Sequence, residues 1–149
     1  MLKPVKKLKS ILLIDDDDVT NFYNSHIIST MGITDHVHAE LNGEDALRYL
    51  VEKARFKDDF VRPDLIFLDV NMPIMNGFEF LAEYEKLAEE DRGQFLIVML
   101  TSSLLEVDKN RASAFGCLSD YYAKPLKQEA LAEIVNKYFP GYLEETEEA

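Results

Sequence analysis

Cysteine is nearly absent. Cys117 is the only one in 149 residues, which excludes an internal disulfide and fits a reducing cytosol. No motif around it supports a nucleophile, so it reads as a small core residue. Positive charge is also scarce: 16 Lys and Arg face 28 Asp and Glu, for a net charge of −12. Such a surface repels phosphate backbones and argues against direct nucleic-acid binding. Long apolar runs are missing too, and no stretch reaches the roughly 20 residues of a membrane span. The basic start, Lys3 to Lys9, has the charge of a signal-peptide leader. The apolar stretch behind it, Ile11–Ile14, is far short of the roughly 7–15 residues such a leader needs. There is no internal repeat and no linker. The chain therefore reads as one domain over 10–140, with a basic lead at 1–9 and an acidic tail at 141–149 expected to be unstructured.

What is present is alternation. Short apolar runs take turns with longer amphipathic segments, the pattern of βα units around a parallel sheet. Strands are expected at Ser10–Asp15, His36–Glu40, Asp64–Asp69, Phe95–Thr101 and Ser119–Ala123. The first helix carries Val19, Phe22, Tyr23, His26, Ile27, Thr30 and Met31 at helical spacing and ends at Gly32. Asn42-Gly43 opens a second helix with Ala46, Leu47, Leu50, Val51 and Ala54 on its apolar face. A charged loop, Phe56–Arg62, stops at Pro63. Further helices carry Phe78, Leu81, Tyr84 and Leu87, then span about Leu105–Phe115, then run from near Lys127 through Leu131, Ile134, Val135 and Tyr138. The fold class is a doubly wound five-stranded α/β sandwich with five helices.

Four of these strands end in polar residues. Ile11–Ile14 runs into Asp15 and Asp16, Leu65–Leu68 into Asp69, Phe95–Leu100 into Thr101, and Tyr121–Ala123 into Lys124. Open α/β sheets bind ligands at the carboxyl ends of their strands. Carboxylates grouped beside one lysine suit a divalent cation and a phosphoryl group. Mg²⁺ takes hard oxygen ligands from one or two carboxylates plus water and phosphate. An ionised aspartate can attack an activated phosphorus to give an acyl phosphate, and that transfer relies mainly on positioning and charge stabilisation.

Taken in order, these blocks resemble the response-regulator receiver domains of two-component phosphorelays over roughly Ser10 to Phe139. They are Ile14-Asp15-Asp16, Leu65 to Pro73 with Asn76-Gly77, Leu100-Thr101-Ser102, and Tyr121-Tyr122-Ala123-Lys124-Pro125. The resemblance implies strand order 2-1-3-4-5 and Asp69 as phosphoacceptor. Asp16 would ligate Mg²⁺ directly, with Asp15 helping through water and Asn71 through its backbone carbonyl. Thr101, Lys124 and the Ser102 N–H would contact the phosphoryl group. Thr101 and Tyr121 would be the switch pair, Asn71 and Ser103 would influence hydrolysis, and Lys124-Pro125 is a candidate cis bond. The phosphodonor would be a histidine kinase or phosphotransfer protein, the location cytoplasmic, and the output a changed surface offered to another protein. Such a chain is not an enzyme beyond its own phosphorylation and dephosphorylation.

Two other functions compete. Asp16-Asp17-Asp18-Val19-Thr20 superficially fits the Asp-x-Asp-x-Thr opening of haloacid-dehalogenase phosphatases, but that family needs a later acidic pair for its metal where only Lys127-Gln128-Glu129 follows Lys124, and Asp69 goes unexplained. A receiver-like binding module working without phosphate would require an incomplete site. Single residues also have simpler roles open to them. Asp17 or Asp18 suits a helix N-cap, Tyr121 alone would be packing, and His26, His36 and His38 lack zinc-ligand spacing. Phe78, Phe80 and Tyr84 read as core and flank, and Glu79, Glu83, Glu85, Glu89 and Glu90 as a solvated face.

Overall fold

Parallel pairing of the apolar runs dominates the computed structural model, which describes residues 2–53, 61–87, 96–102 and 114–145. The elements are β1 (Leu2–Pro4), β2 (Ile11–Ile14), α1 (Asp18–Met31), β3 (Val37–Glu40) and α2 (Gly43–Arg48), which runs on as a π-helical turn, Tyr49–Lys53. After them come β4 (Leu65–Asp69), α3 (Gly77–Glu85), β5 (Leu96–Thr101), β6 (Leu118–Ala123), α4 (Gln128–Tyr138) and β7 (Leu143–Glu145). The five-stranded sheet runs β3-β2-β4-β5-β6, all parallel, and matches the expected order once β1 is set apart. Four helices lie within the described residues. The segment expected at Leu105–Phe115 falls almost wholly outside them, as do Ala54 and most of the charged loop, Phe56–Arg62.

Successive strand residues point to opposite faces, and both faces are covered. Leu12, Ile14, Ile66 and Leu68 pack with Ala46, Phe80 and Leu81 of α2 and α3. Ile11, Leu13, Leu65 and Phe67 pack with Ile28 of α1 and with Leu131, Ile134 and Val135 of α4. Burial on both sides explains why these strands read as unbroken apolar runs rather than alternating ones. Asp17 caps α1, accepting from the Val19 N–H, and Gly32 ends it at φ 70°. Asn76 and Glu79 form a reciprocal capping box at the start of α3.

Three expectations need correction. The apolar spacing along the first helix does not mark its buried face. Asn21, Asn24 and Ile28 face the sheet, while Val19 and Phe22 are 73% and 77% exposed. The acidic tail is not unstructured at its start. Leu143–Glu145 pairs antiparallel with Leu2–Pro4, setting Lys3 opposite Glu144. Gly141, at φ 87°, turns the chain back. Leu143 then buries itself in the core, and the Lys6 ammonium sits 4.9 Å over the Tyr142 ring. The acidic helix surface departs from a solvated face at Glu85, which is half-buried and accepts from the Cys117 N–H, whereas Glu79 and Glu83 are exposed and Glu89 and Glu90 lie outside the described residues.

Candidate phosphoryl-transfer site

Strand register assembles the site. Ile14 lies opposite Leu68, so Asp15 follows directly beside Asp69. Asp69 lies opposite Leu100 and Thr101 opposite Ala123, which brings Lys124 to the same edge. The Lys124 N–H donates to the Thr101 carbonyl at 2.7 Å and fastens the end of β6 to β5.

The Lys124 ammonium bridges two carboxylates, at 2.7 Å from Asp15 Oδ2 and 2.9 Å from Asp69 Oδ1. Asp15 and Asp69 are buried, Asp16 is exposed, and one carboxylate oxygen from each lies within 4.8 Å of the others. Burial pushes the Asp69 carboxyl up from 3.8 to about 6, against the pull of Lys124 and helped by the negative charges of Asp15 and Asp16. Burial also works against the Lys124 ammonium, but its two carboxylate partners outweigh it and hold the group above its ordinary range.

The loop after Asp69 is shaped by close contacts. A Cβ on Gly77 would sit 2.6 Å from the Asp69 carbonyl oxygen and 3.0 Å from Val70 Cα, so only glycine fits there. The Gly77 N–H donates to the Val70 carbonyl at 2.8 Å. Ile74 sits at φ 70° between Pro73 and Met75, whose N–H donates back to the Pro73 carbonyl at 2.7 Å. That is a γ-turn with a β-branched residue at its centre, a strained arrangement that leaves Ile74 exposed.

Asp15, Asp16, Asp69, Thr101 and Lys124 therefore converge. Thr101 is fully buried and Ser102 beside it is exposed. Asn71 is exposed two residues past Asp69. Tyr121 is half-buried against the cluster that holds Phe78 and Met99. The Lys124–Pro125 peptide is cis. Ser103 lies outside the described residues. Beside the lysine, a groove of about 450 Å³ opens between Val19 and Tyr23 on α1 and the Lys124-Pro125-Leu126 segment. Sequence reasoning passed over Asn21, whose side chain reaches the same acidic turn. A polar residue three positions into a helix that packs on the sheet was the available signal.

Three hard carboxylate oxygens this close, two of them on buried side chains, suit a small divalent cation. Among the described residues this acidic trio is the one cluster of three or more potential metal-ligating side chains, and it contains no histidine.

The response regulator receiver domain profile matches residues 11–136, and the chain belongs to that family. A two-component response regulator from Cytophaga hutchinsonii superposes with a TM-score of 0.77 at 31% identity, covering 89% of this chain and 97% of that one. The chemotaxis protein CheY4 of Vibrio cholerae gives 0.67 at 28%, covering 87% and 98%. The chain is 31% identical to hybrid signal transduction histidine kinase G of Dictyostelium discoideum over 90% of its own length, but it spans only 4% of that kinase. It spans 53% of the transcriptional regulatory protein CitT of Halalkalibacterium halodurans, at 33% identity. The protein is thus a CheY-like receiver domain of the two-component phosphorelay type. Among the described residues no helix is long and apolar enough to cross a membrane.

Proposed function

We propose that the chain accepts a phosphoryl group on Asp69 from a histidine kinase or phosphotransfer protein, in a Mg²⁺-dependent reaction, and signals through a changed protein-binding surface. The observation that carries this reading is the single ammonium of Lys124 spanning Asp15 and Asp69 at the ends of adjacent strands. Asp15, Asp16 and Asp69, with the Asn71 carbonyl, would hold the cation. When bound, it would keep the carboxylates ionised and offset charge on the phosphoryl oxygens.

The chain's own groups do the rest. An Asp69 oxygen forms the new bond to phosphorus as the bond to the donor imidazole breaks, and the imidazole leaves with the electron pair. Lys124 pairs with one phosphoryl oxygen, while the Thr101 hydroxyl and the Ser102 N–H donate to others. Movement of Thr101 toward the phosphate frees the space into which Tyr121 turns, and that changes the surface beside β6. The apolar rim of Val19, Tyr23 and Pro125 suits the histidine-bearing helix of the donor, which must approach within bonding distance of Asp69. We place the domain at 10–140, acting in the cytoplasm as a single receiver whose output lies in a partner. Protein PilH of Pseudomonas aeruginosa, matched over 98% of its length at 28% identity, supports that arrangement.

Phosphate-affinity electrophoresis after incubation with acetyl phosphate and Mg²⁺ tests the assignment. Wild type shifts and Asp69→Asn does not. A shifted band persisting in the variant refutes it, and sustained turnover of a phosphomonoester favours a phosphatase instead.

A further inference from the structure

The inner face of α1 carries two asparagines where a helix packed on a sheet ordinarily carries aliphatic side chains. Asn21 and Asn24 are 5% and 3% exposed, and the Oδ1 of each is buried without a hydrogen-bond partner. An unpaired buried carbonyl oxygen is costly, and native interiors hold few of them. An aliphatic residue at either place would pack the helix without that penalty.

Asn21 has one bond to set against it. Its Nδ2 donates to the backbone carbonyl of Asp15 at 2.9 Å, across a sequence separation of six. That carbonyl belongs to the peptide joining Asp15 to Asp16, immediately past the last laddered residue of β2, Ile14. On the other side of Asp15 the backbone is already fixed, since its N–H donates to Glu40 at 3.2 Å. Its side chain is fixed as well, by the Asp17 N–H at 3.0 Å and by Lys124. The plane of the next peptide is what remains, and rotating it swings the exposed Asp16 carboxylate. One oxygen of that carboxylate now lies within 4.8 Å of oxygens of Asp15 and Asp69.

We propose that Asn21 is a positioning residue for the cation site: its amide holds the Asp15–Asp16 peptide in the plane that keeps the Asp16 carboxylate facing Asp15 and Asp69. The inference rests on the reading of this acidic trio as the Mg²⁺ site. It explains why the donor end of the amide is kept although the acceptor end is stranded.

The test is an NMR titration of the full ¹⁵N-labelled chain with MgCl₂, comparing wild type, Asn21→Leu and Asn24→Leu. Before metal is added, the Asp16 amide nitrogen, which senses hydrogen bonding to the preceding carbonyl, shifts in Asn21→Leu while the amides of β4 and β5 stay in place. Loss of this one bond raises the Mg²⁺ dissociation constant about tenfold. Asn24→Leu makes the same kind of change one turn further on and leaves the constant within about twofold of wild type. If Asn21→Leu does not fold, Asn21→Ala removes the amide without adding bulk and is read in the same way. Wild-type affinity in a folded Asn21 variant overturns the inference and leaves the Mg²⁺ reading standing, as does equal weakening in the Asn24 variant. A wild-type chain that takes up no Mg²⁺ overturns both.

Discussion

Replacing Asp69 with Asn should make the metal-free protein more stable, by an amount that depends on pH. In the unfolded chain this carboxyl titrates near its ordinary value of 3.8, and in the folded chain near 6. Between those two values the native state binds more protons than the unfolded one, so stability falls as pH rises through the window. Above about pH 6 the full penalty is present. A separation of about two units corresponds to about 3 kcal/mol at 1.36 kcal/mol per unit. Asparagine carries no charge to desolvate, but it also deprives Lys124 of one of its two carboxylate partners. A net gain of about 2 kcal/mol at pH 8 is the expected balance, a rise in Tm of about 4–8 °C for a domain of this size. Thermal melts followed by far-UV circular dichroism in EDTA, at pH 8 and at pH 4.5, measure it. The gap between variant and wild type should shrink below about 1 kcal/mol at the lower pH. Adding Mg²⁺ at pH 8 should close it from the other side, by stabilising wild type more than the variant. A variant that melts below wild type at pH 8, or a gap that ignores pH, would refute the argument from burial and like charge.

Lys124→Ala leaves Asp15 and Asp69 facing each other without the ammonium, so it should lose about 3 kcal/mol at pH 8 in EDTA and recover part of that with Mg²⁺. It should still bind the metal while labelling more weakly from acetyl phosphate; unchanged labelling and partner affinity would count against its role. Gly77→Ala drives a Cβ against the Asp69 carbonyl, and urea unfolding should show a loss of at least about 2 kcal/mol. A loss under about 0.5 kcal/mol would mean the loop yields easily. Leu143→Ala should cost about 2 kcal/mol by the same assay, because Leu143 packs between the paired termini and the core. No change would show that the terminal strands add nothing to stability.

The sheet was legible in the sequence because burial on both faces leaves a strong mark. Leu65–Leu68 and Ile11–Ile14 have no polar residue to confuse the strand boundary, and the first polar residue after each run lies at the sheet's carboxyl edge. The termini were not legible, for a physical reason. Pairing between Leu2–Pro4 and Leu143–Glu145 joins the two ends of the chain, and each segment alone is short and charged, with the composition of a solvated tail. Only their opposite charges hinted that they belong together. The bulge opposite Ile97 and Val98, which sets Leu118 and Asp120 against them and skips Ser119, likewise follows from long-range pairing.

The candidate site divides in the same way. Its carboxylates and lysine could be found from the order of strand ends, because side-chain identity carries the chemistry. The first helix misled the same reasoning, and its failure is informative. Val19, Phe22 and Tyr23 have core-like chemistry yet face outward, Val19 and Tyr23 beside Lys124, while Asn21 and Asn24 have surface chemistry yet are buried. Helical periodicity assumes that apolar residues go inward, and that assumption breaks where a helix must serve something other than its own packing. On α1 it breaks in both directions within one turn. The outward aromatics make sense if another protein covers them, and the inward Asn21 makes sense if the acidic turn needs its amide. Both departures lie within the first two turns, next to Asp15 and Asp16, and the helix returns to ordinary packing at Ile28. A fault in packing alone would have no reason to stop where the site stops.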